Sequence, residues 1–159
     1  MINSMKFLAL ALALGTAQFA SAGSTTFDLS GNSCVSTTAG VPAIATRYGI
    51  YNASVGPLHV ACPIQVPYAK YTQGYIGISG YNRNQYDPLS CSLSMSTDDG
   101  GYASGGAATI VNASPYVQYA SRSMVPSVAS EVVWADCHIP GAVSGSYSYL
   151  TSILITVNY

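Results

Sequence analysis

Charge is the first thing this sequence lacks. Only 7% of its 159 residues are Asp, Glu, Lys or Arg, where about a quarter is usual. There is no basic stripe to neutralise phosphates, so a nucleic-acid partner is not expected. A polybasic membrane patch is absent too. The chain holds 2 His, neither at ligand spacing from a cysteine, and no Cys-x-x-Cys pair, which argues against zinc. No Gly-x-Ser-x-Gly elbow occurs. His59 and His138 read as surface or edge histidines rather than catalytic bases. Asp98 and Asp99 share a glycine-rich turn, where backbone hydrogen bonding explains Asp better than a glycosidase pair or a calcium ladder does. No catalytic, cofactor-binding or metal residue is assigned, no cofactor is expected, and the chain does not read as an enzyme.

What is there begins with an export signal. Lys6 precedes an apolar run at 7–14, and Ala20-Ser21-Ala22 supplies the small-x-small cleavage pattern. The run is too short to span a bilayer, which takes about 20 apolar residues. Residues 1–22 therefore read as a cleaved signal peptide and 23–159 as a single domain that does not insert in a membrane. That domain carries four basic residues (Arg47, Lys70, Arg83, Arg122) against six acidic ones (Asp28, Asp87, Asp98, Asp99, Glu131, Asp136), a formal charge of −2. Its surface must be built from Ser, Thr, Asn, Gly and Tyr. The expected destination is extracellular or the cell surface, with the periplasm as an alternative.

The four cysteines are Cys34, Cys62, Cys91 and Cys137. An even count behind an export signal implies disulfides. Three pairings are open on count alone, and strand phase favours Cys34–Cys62 with Cys91–Cys137. Leu58, Val60, Cys62 and Ile64 alternate with smaller or polar residues, which places Cys62 on an inward strand face. Leu89, Cys91, Leu93 and Met95 alternate with serines. Val133, Ala135, Cys137 and Ile139 share one face of a third strand, with Trp134, Asp136 and His138 on the other. Cys34 lies in a segment with little strand character and would tie that arm to the Cys62 strand.

Further strands are expected at 47–52, 75–83, 107–113, 116–121 and 147–159, the last apolar on both faces at Ile153-Leu154-Ile155 and hence central or covered. Turns separate them at 52–57, 82–88 and 97–101. About eight short strands with no helical periodicity read as an all-β chain, an antiparallel β-sandwich with two disulfides.

The succession Cys34, Tyr48-Gly49-Ile50-Tyr51-Asn52, Val60-Ala61-Cys62-Pro63-Ile64, Ser90-Cys91-Ser92-Leu93 and Cys137-His138-Ile139-Pro140 resembles a group of small secreted two-disulfide bacterial proteins of unknown function. The ending Gly145-Ser146-Tyr147 followed by Ile155-Thr156-Val157-Asn158-Tyr159 is similar, more weakly, to the spore-coat-U-like secreted pilins, although that family's spacing is not evident in the middle of the chain. Neither resemblance implies a catalytic residue. Asn52-Ala53-Ser54 and Asn112-Ala113-Ser114 match the N-glycosylation pattern, which the bacterial resemblance makes coincidental.

Tyrosine is the abundant aromatic, 13 against 3 Phe and 1 Trp. Tyr68, Tyr71, Tyr75, Tyr81 and Tyr86 crowd one stretch of sequence. Tyrosine is a strong strand former on a half-wet surface, and that is its first explanation. It also combines a flat apolar face with a polar edge, the chemistry that stacks on sugar rings and anchors interfaces. Two functions follow. The first is a non-enzymatic structural protein whose partner is itself, a filament, coat or matrix component. Its terminal apolar strand would pair with a neighbouring subunit's sheet edge. The second is a monomeric module binding glycans through the 68–86 tyrosines and Trp134.

Overall fold

The structure is a computed structural model that describes residues 23–71, 73–96, 102–114, 116–124 and 128–158. The expected signal peptide at 1–22 and the turn at 97–101 lie outside the described residues. Two antiparallel sheets pack face to face, the arrangement that buries one side of each alternating strand. The described strands are β1 (Ser24–Ser30), β2 (Val35–Ser36), β3 (Ile44–Thr46), β4 (Gly49–Tyr51), β5 (Leu58–Tyr71), β6 (Gln73–Tyr81), β7 (Leu89–Ser96), β8 (Tyr102–Ser104), β9 (Ala108–Ile110), β10 (Gln118–Met124), β11 (Val128–Ile139) and β12 (Tyr149–Asn158). A 3₁₀ turn at Gly31–Ser33 joins β1 to β2.

Sheet A runs β10-β6-β12-β4-β3, with β1 also paired to β12. Sheet B runs β2-β5-β11-β7-β8, with β9 also paired to β7. The alternating runs read from the sequence form the inner faces. Leu58, Val60 and Cys62 on β5, Leu89, Cys91, Leu93 and Met95 on β7, and Val133, Ala135, Cys137 and Ile139 on β11 are all 2% exposed or less. They face Ile50, Ile76, Ile78, Leu150, Ile153, Ile155 and Val157 of sheet A. Twelve described strands stand where about eight were expected. The additional four are β1, β2, β3 and β8, three of them only two or three residues long. β1 was not expected as a strand, whereas the segment around Cys34 has little strand character, lying between the 3₁₀ turn and the two-residue β2. The inward residues Thr25, Phe27 and Leu29 of β1 are only half-buried, yet it pairs with β12 from Ser24↔Asn158 to Ser30↔Ser152.

Both disulfides lie inside sheet B and join adjacent strands. Cys91 and Cys137 stand directly opposite each other on β7 and β11 and are bonded, with Cα atoms 4.0 Å apart. Cys34, just before β2, is bonded to Cys62 on β5 at a Cα separation of 4.1 Å. No helix among the described residues is long and apolar enough to cross a membrane.

β12 is a central strand. β6 occupies one edge from Tyr149 to Asn158, and β4 and then β1 occupy the other. The terminal strand thus completes its own sandwich and has no unpaired edge to offer a neighbouring subunit, which removes the main structural argument for assembly by strand sharing.

Candidate functional site

Tyr149 faces outward because β12 is irregular. Counting back from the C-terminal end, Val157, Ile155 and Ile153 are fully buried. Strict alternation would place Thr151 and Tyr149 on that same inner face. The register with β6 instead shifts between Leu150 and Ser152, so Thr151 is an extra residue and Leu150 is the next buried one. A one-residue bulge reverses the phase of everything before it. The Thr151 hydroxyl donates to the Ser79 carbonyl at 2.8 Å and fastens the bulge to β6. Gly49 makes room on the other side. Its φ is +115°, and a Cβ there would come within 2.2 Å of the Leu150 carbonyl oxygen and 2.7 Å of the Thr151 Cα.

On the outer face Tyr149 stands opposite Tyr51 of β4 and Tyr81 of β6. The ring centroids of Tyr149 and Tyr51 are 5.1 Å apart with planes at 31°. Those of Tyr149 and Tyr81 are 5.9 Å apart at 73°. Tyr147 extends the row, 5.2 Å from Tyr51 at 42°. These separations follow from strands about 4.8 Å apart carrying the same residue at one level, and they fall in the range of favourable aromatic pairs. Farther along the face, exposed Tyr119 lies across Gly77, where an added Cβ would come within 2.5 Å of its hydroxyl oxygen.

The row sits on a buried polar plug. Asn52, Asn82 and Ser148 each neighbour one of these tyrosines in sequence, point the opposite way, and are fully buried. The Asn52 amide donates to the carbonyls of Gly56, Ile139 and Pro140 at 2.7, 3.1 and 3.3 Å. Its oxygen accepts from the Ser54 N–H and hydroxyl at 2.9 and 2.7 Å. The Asn82 amide donates to the carbonyls of Asp87 and Ile110 at 3.2 and 3.0 Å. Its oxygen accepts from the Asn84 N–H at 3.0 Å and the Ser148 hydroxyl at 3.4 Å. The Arg83 N–H donates to Ser148 Oγ at 3.0 Å. A satisfied buried network is rigid, and this one fixes the strand ends from which Tyr51, Tyr81 and Tyr149 project.

Beside the row, Tyr48, Tyr81, Arg83 and Tyr149 line a depression of about 170 Å³. Arg47 flanks it, with its guanidinium carbon 4.6 Å from the centre of the Tyr48 ring and a donor bonded to the Tyr48 hydroxyl. The arrangement offers flat apolar faces, hydroxyl edges and a guanidinium fork.

The structure disperses the tyrosines grouped by sequence. Tyr81 belongs to the row. Tyr75 lies six residues away on the same outward face of β6 and is exposed. Tyr86 is exposed in the loop after β6, with its N–H donating to the Asn84 side chain. Tyr68 and Tyr71 fall on β5, in the other sheet, and their side chains lie outside the described residues. Trp134 is on the outer face of sheet B, its indole N–H donating to Asp136 Oδ2 at 2.8 Å, while Ser94 donates to the same oxygen at 2.9 Å. It therefore cannot share a ligand with the tyrosine row on the opposite side of the sandwich. His138 is bonded to Asp87 at 2.8 Å and stacks edge-on against His59 with centroids 5.0 Å apart. Of the two glycosylation patterns, Asn52 is buried and fully bonded, while Asn112 is exposed. Tyr48, Tyr51, Tyr147, Tyr149 and Arg83 were not singled out as a site by the sequence. The only signal for them was the repeated Tyr-Asn step, Tyr51-Asn52 and Tyr81-Asn82.

No protein-family model matches the chain, and no curated protein matches it. Solved structures do. A xylan-binding module, CBM15, superposes with a TM-score of 0.58 at 10% identity, over 85% of this chain and 97% of that one. The CBM22-1–GH10 modules of a Clostridium thermocellum endo-1,4-β-D-xylanase complexed with xylohexaose give 0.57 at 10% identity over 84% of this chain. Xylanase 10C from Cellvibrio japonicus in complex with xylopentaose gives 0.53, again at 10% identity over 84%. This chain spans only 28% and 29% of those two larger proteins. At such identity the likeness is one of fold, the β-sandwich of carbohydrate-binding modules.

Proposed function

We propose that this protein is an exported, non-catalytic carbohydrate-binding module whose ligand lies on the outer face of sheet A, on the Tyr147–Tyr51–Tyr149–Tyr81 row. The observation that carries the reading is the row itself: three half-exposed rings at one level with Tyr147 extending them, supported by a buried polar plug and flanked by an open depression. Sugar rings present apolar C–H faces with hydroxyls around the rim. A tyrosine platform matches both, through its face and its hydroxyl edge. The xylan-binding, xylohexaose-bound and xylopentaose-bound structures that share this fold favour a polysaccharide ligand over self-assembly.

The test is titration calorimetry of the oxidised protein with a panel of soluble oligosaccharides that includes xylohexaose. Tyr149→Ala, at the centre of the row, should weaken binding by roughly tenfold or more, since an aromatic contact contributes about 0.5–1.5 kcal/mol beyond its buried area. Stability should fall by no more than about 1–2 kcal/mol, because the side chain is half-exposed. Failure of the wild-type protein to bind any glycan, or retention of full affinity by Tyr149→Ala, would refute the reading.

A further inference from the structure

We infer that the sugar received beside the row is acidic, a uronic acid whose carboxylate is held by Arg83. This inference rests on the glycan reading above and narrows it to a substrate class. The depression of about 170 Å³ between Tyr48, Tyr81, Arg83 and Tyr149 is smaller than the roughly 300–1,000 Å³ of pockets for drug-sized ligands. It has room for a single sugar ring, a terminal unit or a side branch. Three of its four lining residues are tyrosines and the fourth is a fixed cation.

Arg83 is tied down at its backbone by Ser148 Oγ, but among the described residues no carboxylate forms an ion pair with it. Asp87, in the same loop after β6 as Arg83, is the carboxylate of the one ion pair between described residues, held by His138 of β11 at 2.8 Å. Asp136 is also on β11, engaged by Trp134 and Ser94. Asp28 stands opposite Leu154 of β12, five residues along the strand from Tyr149 and so about 15 Å away. Arg47 adds a second guanidinium beside Tyr48. In a chain with so few charges, Arg83 lines the depression and Arg47 flanks it, and among the described residues neither forms an ion pair with a carboxylate. A guanidinium offers a planar fork that fits a carboxylate bidentately. Neutral sugars would leave that charge unanswered.

The experiment compares a glucuronic-acid-substituted xylo-oligosaccharide and an oligogalacturonate with the methyl ester of each, by calorimetry on the oxidised protein. Esterification removes the charge and keeps the rings. At least one acid form should bind about tenfold tighter than its ester, a modest figure for a charge-assisted contact at a half-exposed site. That preference should shrink as salt is raised. Arg83→Gln should abolish the difference between acid and ester, and Arg83→Lys should keep part of it. Near-UV circular dichroism of both variants checks that the fold is retained. Equal binding of acid and ester by the wild-type protein would overturn this inference and leave the glycan reading standing. Absence of binding to these probes and to every neutral glycan of the panel would overturn both.

Discussion

Asn52 offers the sharpest test of how the fold holds its outer face. Replacing it by Ala removes the two amide protons that serve Gly56, Ile139 and Pro140. Gly56 keeps a donor in the Ser54 hydroxyl, so the loss falls on the two buried carbonyls of the β11 exit. Leaving a buried acceptor without its donor costs about 1–3 kcal/mol. Asn52→Ala should therefore destabilise the protein by about 2–5 kcal/mol, which lowers Tm by roughly 10 °C or more for a domain of this size. Asn52→Asp separates hydrogen bonding from volume. It keeps the acceptor for Ser54 but turns a carboxylate toward three carbonyl oxygens, so burial and the missing donors raise its folded pKa above the unfolded value of about 3.9. The native state then holds a proton that the unfolded state has released, and stability relative to wild type falls as pH rises from about 4 through the folded pKa. The assay is urea denaturation of both variants and wild type at pH 3.5 and pH 7 with disulfides intact. A loss below 1 kcal/mol for Asn52→Ala, or an Asn52→Asp deficit that does not grow between those pH values, would refute the reasoning.

Three further predictions concern sheet B. The Cys34–Cys62 and Cys91–Cys137 bridges close non-overlapping loops with sequence separations of 28 and 46, for which the chain-entropy model gives about 3.6 and about 4.0 kcal/mol. Their sum rivals the 5–15 kcal/mol that stabilises a whole domain, so protein refolded under reducing conditions should be largely unfolded at 37 °C, and an unchanged melt would show the bridges to be dispensable. Trp134 is the only tryptophan, so Asp136→Ala, which frees its indole N–H, should alter the emission spectrum. Trp134→Ala should leave glycan affinity untouched, and a loss of binding there would move the ligand to the opposite face.

The sandwich was legible because long stretches of its inner faces obey a period of two. From Leu58 to Ile64 on β5, Leu89 to Met95 on β7 and Val133 to Ile139 on β11 every second residue is apolar, and the cysteines there sit in phase with them, so burial, strand direction and bridge geometry agree. What was not legible is whatever depends on a neighbouring strand for its identity. β1 alternates Ser, Thr and Asp with Thr25, Phe27 and Leu29, a weak pattern whose strand character comes from seven residues of pairing with β12. β2, β3 and β8 are too short to carry a period at all. The terminal strand was read correctly as apolar enough to be central, but its pairing on both edges is a property of the sheet.

The site was harder to read for a related reason. Sequence proximity grouped Tyr68, Tyr71, Tyr75, Tyr81 and Tyr86, yet a strand advances about 3.3 Å per residue, so Tyr71 and Tyr81 stand roughly 30 Å apart along the chain and belong to different sheets. The tyrosines that do meet come from β4, β6 and β12 and from the turn before β12, nearly a hundred residues apart from Tyr51 to Tyr149, and only the sheet order β6-β12-β4 brings them to one level. Even that order would not suffice. A regular β12 would send Tyr149 into the core beside Ile153, and the platform would lose its centre. The bulge at Thr151, admitted by Gly49, turns it out to solvent. Its trace in the sequence is the odd spacing between Leu150 and Ile153, two buried residues three apart in a strand whose other buried positions are two apart. Such a break in phase is commonly read as noise in a pattern, but here it re-aims a side chain. The same irregularity that hides Tyr149 from a periodicity argument is therefore what turns it to the outer face of sheet A, where the proposed glycan site lies.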